Sequence, residues 1–213
     1  CSLMALVANA RGLAQLLEAP GVDEVLYPFS LSERFQQRNT NRGREQALEG
    51  LAALVRDAHA AHRTVYATIS MAFGNNEGDP WSLDELCRWV GRLDDIGVDR
   101  VGLADTTAQA DAARVREALE ACAQGGRAVP AVHLHCTEVT QGPLVTAALD
   151  AGCRDIDAAL GGLGGCQFAK GAESNVSTWP LVEQLVAAGF QPDVPTDGLA
   201  ALDARARGLA GRA

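Results

Sequence analysis

Short apolar runs alternate along the chain with longer stretches whose apolar residues recur at helical spacing. The runs Leu3–Val7, Glu24–Tyr27, Thr64–Ile69, Arg100–Leu103, Val129–His135 and Asp155–Ala158 read as strands. Between them, Leu13, Leu16 and Leu17 mark one helical face, and Leu48, Leu51, Leu54 and Val55 another. Leu86 with Val90, Val115 with Leu119 and Cys122, Leu144 with Val145 and Leu149, and Leu181 with Leu185 and Val186 continue the series. Ser82 followed by Glu85 is the signature of a capping box, and Ser177, Thr178 and Pro180 read as a helix start. Strand–helix alternation of this kind predicts a parallel sheet with helices outside it. No low-complexity linker divides the chain, so residues 1–213 are expected to form one domain.

The composition fits a globular core: of 213 residues, 47% are hydrophobic and 21% charged. A net charge of −9 without any Lys/Arg cluster argues against a nucleic-acid partner. No apolar run reaches the roughly 18 residues of a membrane span. Six cysteines, at 1, 87, 122, 136, 153 and 166, include no CxxC pair, which predicts reduced thiols and a cytoplasmic protein. Cys122 is expected to be a surface thiol. The chain opens Cys1-Ser2-Leu3 with no initiator Met and no charged region of a signal peptide, and reads as though it starts abruptly.

Polar residues gather just after each predicted strand. They are Asn9; Ser30, Ser32 and Glu33; Ser70 and the Gly-Asn-Asn-Glu-Gly stretch; Asp105-Thr106-Thr107; His133 and His135; and a glycine-rich segment. In a parallel barrel these points share the face on which active sites are built. Turns are commonly polar, which accounts for the glycines but not for two histidines inside an apolar strand. In Val132-His133-Leu134-His135 both imidazoles fall on one side of a strand. They suit a pair of metal ligands, and equally well two hydrogen-bonded histidines at a strand end. Cys136 as a third ligand would suggest zinc, but strand alternation turns it away. His59 and His62, in a helix among alanines, are assigned no role. The segment Gly161–Gly171 holds Cys166 among glycines. It predicts a mobile loop rather than a packing element, with a thiol placed to act as proton donor, nucleophile or redox group.

Gly162-Leu163-Gly164-Gly165-Cys166, followed by Ala169-Lys170-Gly171-Ala172 and Asn175-Val176, closely resembles the signature loop of the hydroxymethylglutaryl-CoA lyases. Ser32-Glu33-Arg34-Phe35 with Asn39-Thr40-Asn41, Leu103-Ala104-Asp105-Thr106-Thr107, and Val132-His133-Leu134-His135 resemble that family's segments at three other strand ends, in order and over nearly the whole chain. The resemblance implies an α/β fold, a TIM (β/α)8 barrel. Nothing here matches the family's opening Arg-Asp-Gly-Leu-Gln strand, so the six predicted strands correspond to strands three to eight of an incomplete, N-terminally shortened barrel. Smaller departures are Cys136, where the family has Asp, and Ala8, where it has proline. Ala108 stands where it has glycine.

The function implied is a divalent-metal-dependent carbon–carbon lyase. It would split a 3-hydroxy-3-methylglutaryl-CoA-like thioester into acetyl-CoA and acetoacetate by a retro-Claisen step. His133, His135 and Asn175 would hold Mg²⁺ or Mn²⁺. Cys166 would protonate the enolate, and His133 or Asp105 would assist as base. Asn39 and Thr106 would lie near the acyl group of an acyl-CoA substrate. Lys170 could reach a CoA phosphate, although a solvated surface lysine is the simpler reading. Another aldolase or acyltransferase of the same superfamily, or a truncated and inactive barrel, are the alternatives. A homo-oligomer is left open, and neither a nucleic acid nor a membrane is expected as partner.

Overall fold

The computed structural model describes residues 2–164, 174–192 and 195–210. Strands β1 (Met4–Leu6), β2 (Glu24–Ser30), β3 (Thr64–Ser70), β4 (Arg100–Ala104) and β5 (Ala131–His133) form one parallel sheet in sequential order. Helices α1 (Ala10–Glu18), α2 (Glu33–Thr40), α3 (Arg44–Ala60), α4 (Leu83–Asp95) and α5 (Ala112–Cys122) lie between successive strands. This is the predicted α/β alternation. The β2–β3 ladder runs in register from Glu24 opposite Thr64 to Ser30 opposite Ser70.

Alternation decides what each face does. One face carries Val25, Tyr27, Phe29, Val65, Ala67, Ile69, Val101, Leu103 and Val132. It packs on Leu51, Leu54, Leu86, Trp89, Val90 and Leu119 of the helices, forming the main core. The opposite face carries Glu24, Tyr66, Arg100, Gly102 and His133. Arg100 pairs with Glu24 and Asp155 and stands 4.4 Å over the Tyr66 ring. Gly102 is required there because a Cβ would collide with the Tyr66 side chain.

The regular ladder ends at His133. The predicted strand Val129–His135 is interrupted at Leu134, and His135–Cys136 (β6) pairs antiparallel with Ser174–Asn175 (β7). The predicted strand Asp155–Ala158 shrinks to a single parallel bridge, Ile156 opposite Val132. Helix α6 (Glu138–Asp150) opens with the reciprocal capping box of Thr137 and Thr140. At α4 only half of that motif forms: Ser82 accepts the Glu85 N–H, while the Glu85 carboxylate binds Arg44, Arg88 and Trp89. Helix α7 (Thr178–Ala187) follows the predicted start at Ser177.

Helix α8 (Leu199–Ala210) has no counterpart in the sequence reading, for a physical reason. Its leucines Leu202 and Leu209 are exposed, whereas Asp203 and Ala206 are buried, so hydrophobic periodicity does not mark its inner face.

Other expectations change too. Cys122 is fully buried against α4, not a surface thiol, and burial together with Cys87 pushes its pKa up. Asn9 caps α1, accepting the Gly12 N–H at 3.0 Å. His59 lies in α3 and pairs with Asp99, while His62 sits past the helix end at φ 57°. Among the described residues no helix is long and apolar enough to cross a membrane.

Candidate active site

Strands β4 and β5 deliver two polar residues to adjacent C-terminal ends. Asp105 follows β4 and His133 closes β5. Two residues further on, His135 lies beside His133, with ring centroids 5.3 Å apart and the rings nearly perpendicular. Each Nδ1 is held. His135 Nδ1 donates to the Asp105 carbonyl at 2.9 Å, and His133 Nδ1 lies 3.1 Å from Asp157 Oδ2. A carbonyl can only accept, so neutral His135 carries its proton on Nδ1 and keeps an Nε2 lone pair. Burial, with the neighbouring His133 ring, lowers the His135 pKa, against hydrogen bonds that favour the proton. His135 is therefore neutral at pH 7, the form in which imidazole ligates metals.

The β6–β7 pairing sets Asn175 directly opposite His135. Asn175 Nδ2 donates to the Leu163 carbonyl at 2.8 Å. Its Oδ1 is buried without a hydrogen-bond partner among the described residues, although the side chain sits near enough to His135 to favour that ring's proton. An orphaned buried carbonyl beside an imidazole with a spare lone pair is a cluster of acceptors without a donor. A cation satisfies such a cluster, and a hard divalent ion suits its oxygen and nitrogen donors. The residues present therefore fit a metal.

The glycines at the start of the 161–171 segment pack closely, while the expected mobile loop around Cys166 lies outside the described residues. Gly161, Gly162 and Gly164 all have positive φ. A Cβ on Gly164 would come within 2.7 Å of Asn175 Nδ2, and one on Gly162 within 2.9 Å of the Asn175 carbonyl. Absence of side chains is what lets this turn lie on Asn175. Cys166 and Lys170 lie outside the described residues.

The remaining expected site residues are placed as follows. Asp105 is buried, and its carboxylate accepts the N–H groups of Gln109 and Ala110 at 2.8 and 3.1 Å. The carboxylate is thus engaged in holding its own turn, which weakens the expectation that Asp105 serves as base. Thr106 is buried and its Oγ1 accepts the Met71 N–H at 2.9 Å. Asn39 is exposed near the end of α2, and no hydrogen bond among the described residues links it to the histidines. Cys136 points into the core, towards Gln141, and not at the histidines. Ala108 has φ 53°, a left-handed backbone that explains why glycine suits this position.

Three supporting residues escaped the sequence reading. Asp157 holds His133. Gln141 exchanges two hydrogen bonds with the backbone of Ser177, at 3.1 and 2.9 Å. Asp203 binds the N–H groups of Gly161 and Trp179, the Ser177 hydroxyl and Arg207. Although burial opposes it, these hydrogen bonds hold the Asp203 carboxyl below its ordinary pKa. The legible signal for Asp157 is its place two residues after Asp155, which alternation puts on the same side of the predicted strand.

A parallel α/β barrel sheet with its polar constellation at the C-terminal strand ends is the class that fold and site define. A family model described as HMGL-like matches residues 3–204, and the chain belongs to that family. Hydroxymethylglutaryl-CoA lyase YngG of Bacillus subtilis is 32% identical over 196 residues, 92% of this chain and 65% of its own length. The chain thus spans about two thirds of that relative. The crystal structure of the HMG-CoA lyase from Brucella melitensis superposes with a TM-score of 0.88 at 28% identity, over 97% of this chain and 73% of that one. An HMG-CoA lyase from Acinetobacter baumannii, solved in complex with coenzyme A and 3-methylmalate, gives 0.87 at 28% identity, over 98% and 68%.

Proposed function

We propose that this protein is a carbon–carbon lyase that cleaves 3-hydroxy-3-methylglutaryl-CoA, or a thioester close to it, to acetyl-CoA and acetoacetate in the cytoplasm. The observation that carries the reading is the donor-free acceptor set of His133, His135 and Asn175 in a chain of the HMGL-like family. Relatives named for this cleavage, one of them solved with coenzyme A, support an acyl-CoA substrate. Residues 1–213 are taken as one domain.

His133 Nε2, His135 Nε2 and Asn175 Oδ1 would hold the divalent cation, Mg²⁺ or Mn²⁺. When bound, the cation supplies Lewis-acid polarisation of the substrate's oxygens. The chain does the rest by position. Asp157 and the Asp105 carbonyl fix the two imidazole planes. With Nδ1 of His133 held by Asp157, its single Nε2 lone pair serves as ligand rather than base. Thr106 accepts from Met71 and keeps its hydroxyl hydrogen for an acyl oxygen. Asn39 offers an amide to the acyl arm from α2. The carbinol hydroxyl loses its proton to solvent as its oxygen becomes a ketone, the bond between the thioester's α-carbon and the carbinol carbon breaks, and the α-carbon becomes an enolate terminus. The Cys166 thiol gives it a proton and afterwards regains one from solvent.

The test is turnover of the full-length protein on 3-hydroxy-3-methylglutaryl-CoA. Acetyl-CoA and acetoacetate should appear in equal amounts, vanish on chelation and return with Mg²⁺ or Mn²⁺. Cys166→Ser should lower turnover by ~10²–10⁴, the contribution of a positioned proton donor, while metal binding stays intact. A metal-loaded, folded protein that leaves this thioester uncleaved overturns the reading.

A further inference from the structure

Outside the site, two thiols face each other between helices of the outer layer. Cys87 on α4 and Cys122, the last residue of α5, place their Sγ atoms 3.2 Å apart. Cys87 is half-buried and Cys122 is fully buried. The other described cysteines do not share this arrangement. Cys136 faces Gln141, and Cys153 donates to the Asp155 carbonyl at 3.2 Å. The proposed lyase chemistry uses neither Cys87 nor Cys122.

We propose that Cys87 and Cys122 are a dithiol modification site, converted to an intramolecular disulfide by small-molecule disulfides. Their sulfurs need close only from 3.2 Å to the roughly 2.0 Å of an S–S bond. Exposure sets the order of attack. Cys87, deprotonated, attacks one sulfur of the reagent RSSR and expels RS⁻, leaving a mixed disulfide on Cys87. Cys122 loses its proton to solvent, and its sulfur attacks Cys87 Sγ and expels the second RS⁻. The two RS⁻ take up the two protons released, so two protein thiols and RSSR become one protein disulfide and two RSH. The bond ties the helices on either side of β4 and closes a loop that contains Asp105 and Thr106. Closing a loop in the unfolded chain favours the folded state.

The native protein is treated with hydroxyethyl disulfide, trapped with acid and mapped by mass spectrometry. The expected result is a peptide joined through Cys87 and Cys122, lighter by two hydrogens than the reduced pair. A melting temperature several degrees higher should accompany it and be reversed by dithiothreitol. Cys122→Ser should stop at a stable mixed disulfide on Cys87, and Cys87→Ser should leave Cys122 unmodified in the folded protein. Two results overturn the proposal. One is a persistent mixed disulfide on Cys87 in the unsubstituted protein. The other is a Cys87–Cys122 link that forms only after denaturant is added. Neither variant touches the proposed lyase residues, so turnover reports separately on that reading.

Discussion

The two halves of this molecule are held together differently. From β2 to β4 the backbone does most of the work: long parallel ladders, an alternating sequence, and a face of valine, isoleucine and aromatic side chains against α3, α4 and α5. Beyond β5 the ladder dwindles to short pairs and single bridges. Side chains take its place. Gln141 pairs with the Ser177 backbone as a neighbouring strand would, Asp203 gathers Gly161, Ser177 and Trp179, and Asp157 and Asp105 hold the histidines. A continuous ladder turns alternate residues to opposite faces. His133 and His135, two apart, therefore share a face, and the antiparallel β6–β7 pair, formed where the long ladder has given way, sets Asn175 opposite His135. The regular half stabilises, and the irregular half gives up ladder to place functional groups.

The sharpest way to break this comparison is at the histidines. His135→Ala in the full-length protein should abolish stoichiometric Mn²⁺ binding, measured by titration calorimetry, with little change in melting temperature. Retained metal at full stoichiometry would remove the proposed ligand set. The next largest effects separate the halves directly. Leu51→Ala, in the fully buried core, should cost about 2–5 kcal/mol while the folded fraction binds metal normally. Asp203→Ala should cost about 3 kcal/mol through its lost charged hydrogen bonds and should also weaken metal binding, because the turn over Asn175 loosens. Equal metal affinity in the two variants would show that Asp203 is merely structural.

Asp203 also carries a pH signature. Its carboxyl is held below the ordinary value in the folded state. Its contribution is therefore complete above the unfolded pKa of about 3.9 and is lost as pH falls through the lower folded value. Urea midpoints measured from pH 6 downwards should decline less steeply for Asp203→Asn than for the unsubstituted protein once pH drops below about 4.

Smaller effects follow. Asp157→Asn should weaken metal affinity about 10–100-fold, as loss of a ligand's supporting carboxylate does. An unchanged affinity would mean that His133 needs no such support. The smallest effect is a gain: Ala108→Gly should stabilise by about 1 kcal/mol, because the left-handed backbone strains alanine. Denaturant midpoints decide it, and a loss of stability would contradict the strain.

What the sequence made legible follows the same division. The strands of the regular half are read from apolar alternation, and β2 and β3 lie where the runs place them, each extended at its C-terminal end. The histidine pair is legible because imidazoles are out of place in an apolar run. Helix α8 is not, since its buried face is built on Asp203 and Ala206 while its leucines meet solvent. Asn9 stands out as a polar residue after a strand, yet it is an N-cap, a task for which asparagine is equally suited. The glycines before Cys166 suggest motion from composition, and pattern alone does not show that Gly162 and Gly164 leave room for Asn175, more than ten residues further on, or Gly161 for Asp203 and Arg207. Residues whose role is set by a distant partner are not marked by local pattern.

The β6–β7 pairing has one more consequence, for how such a site can change over generations. His135 meets Asn175 because of register, and register in a strand pair is a matter of parity. A slip by one residue would set Ser174 opposite His135 and turn the Asn175 amide to the other face. Intermediate positions do not exist. Point substitutions can tune this corner by degrees, but insertions or deletions within the pair either preserve the odd–even count or remove a ligand in a single event.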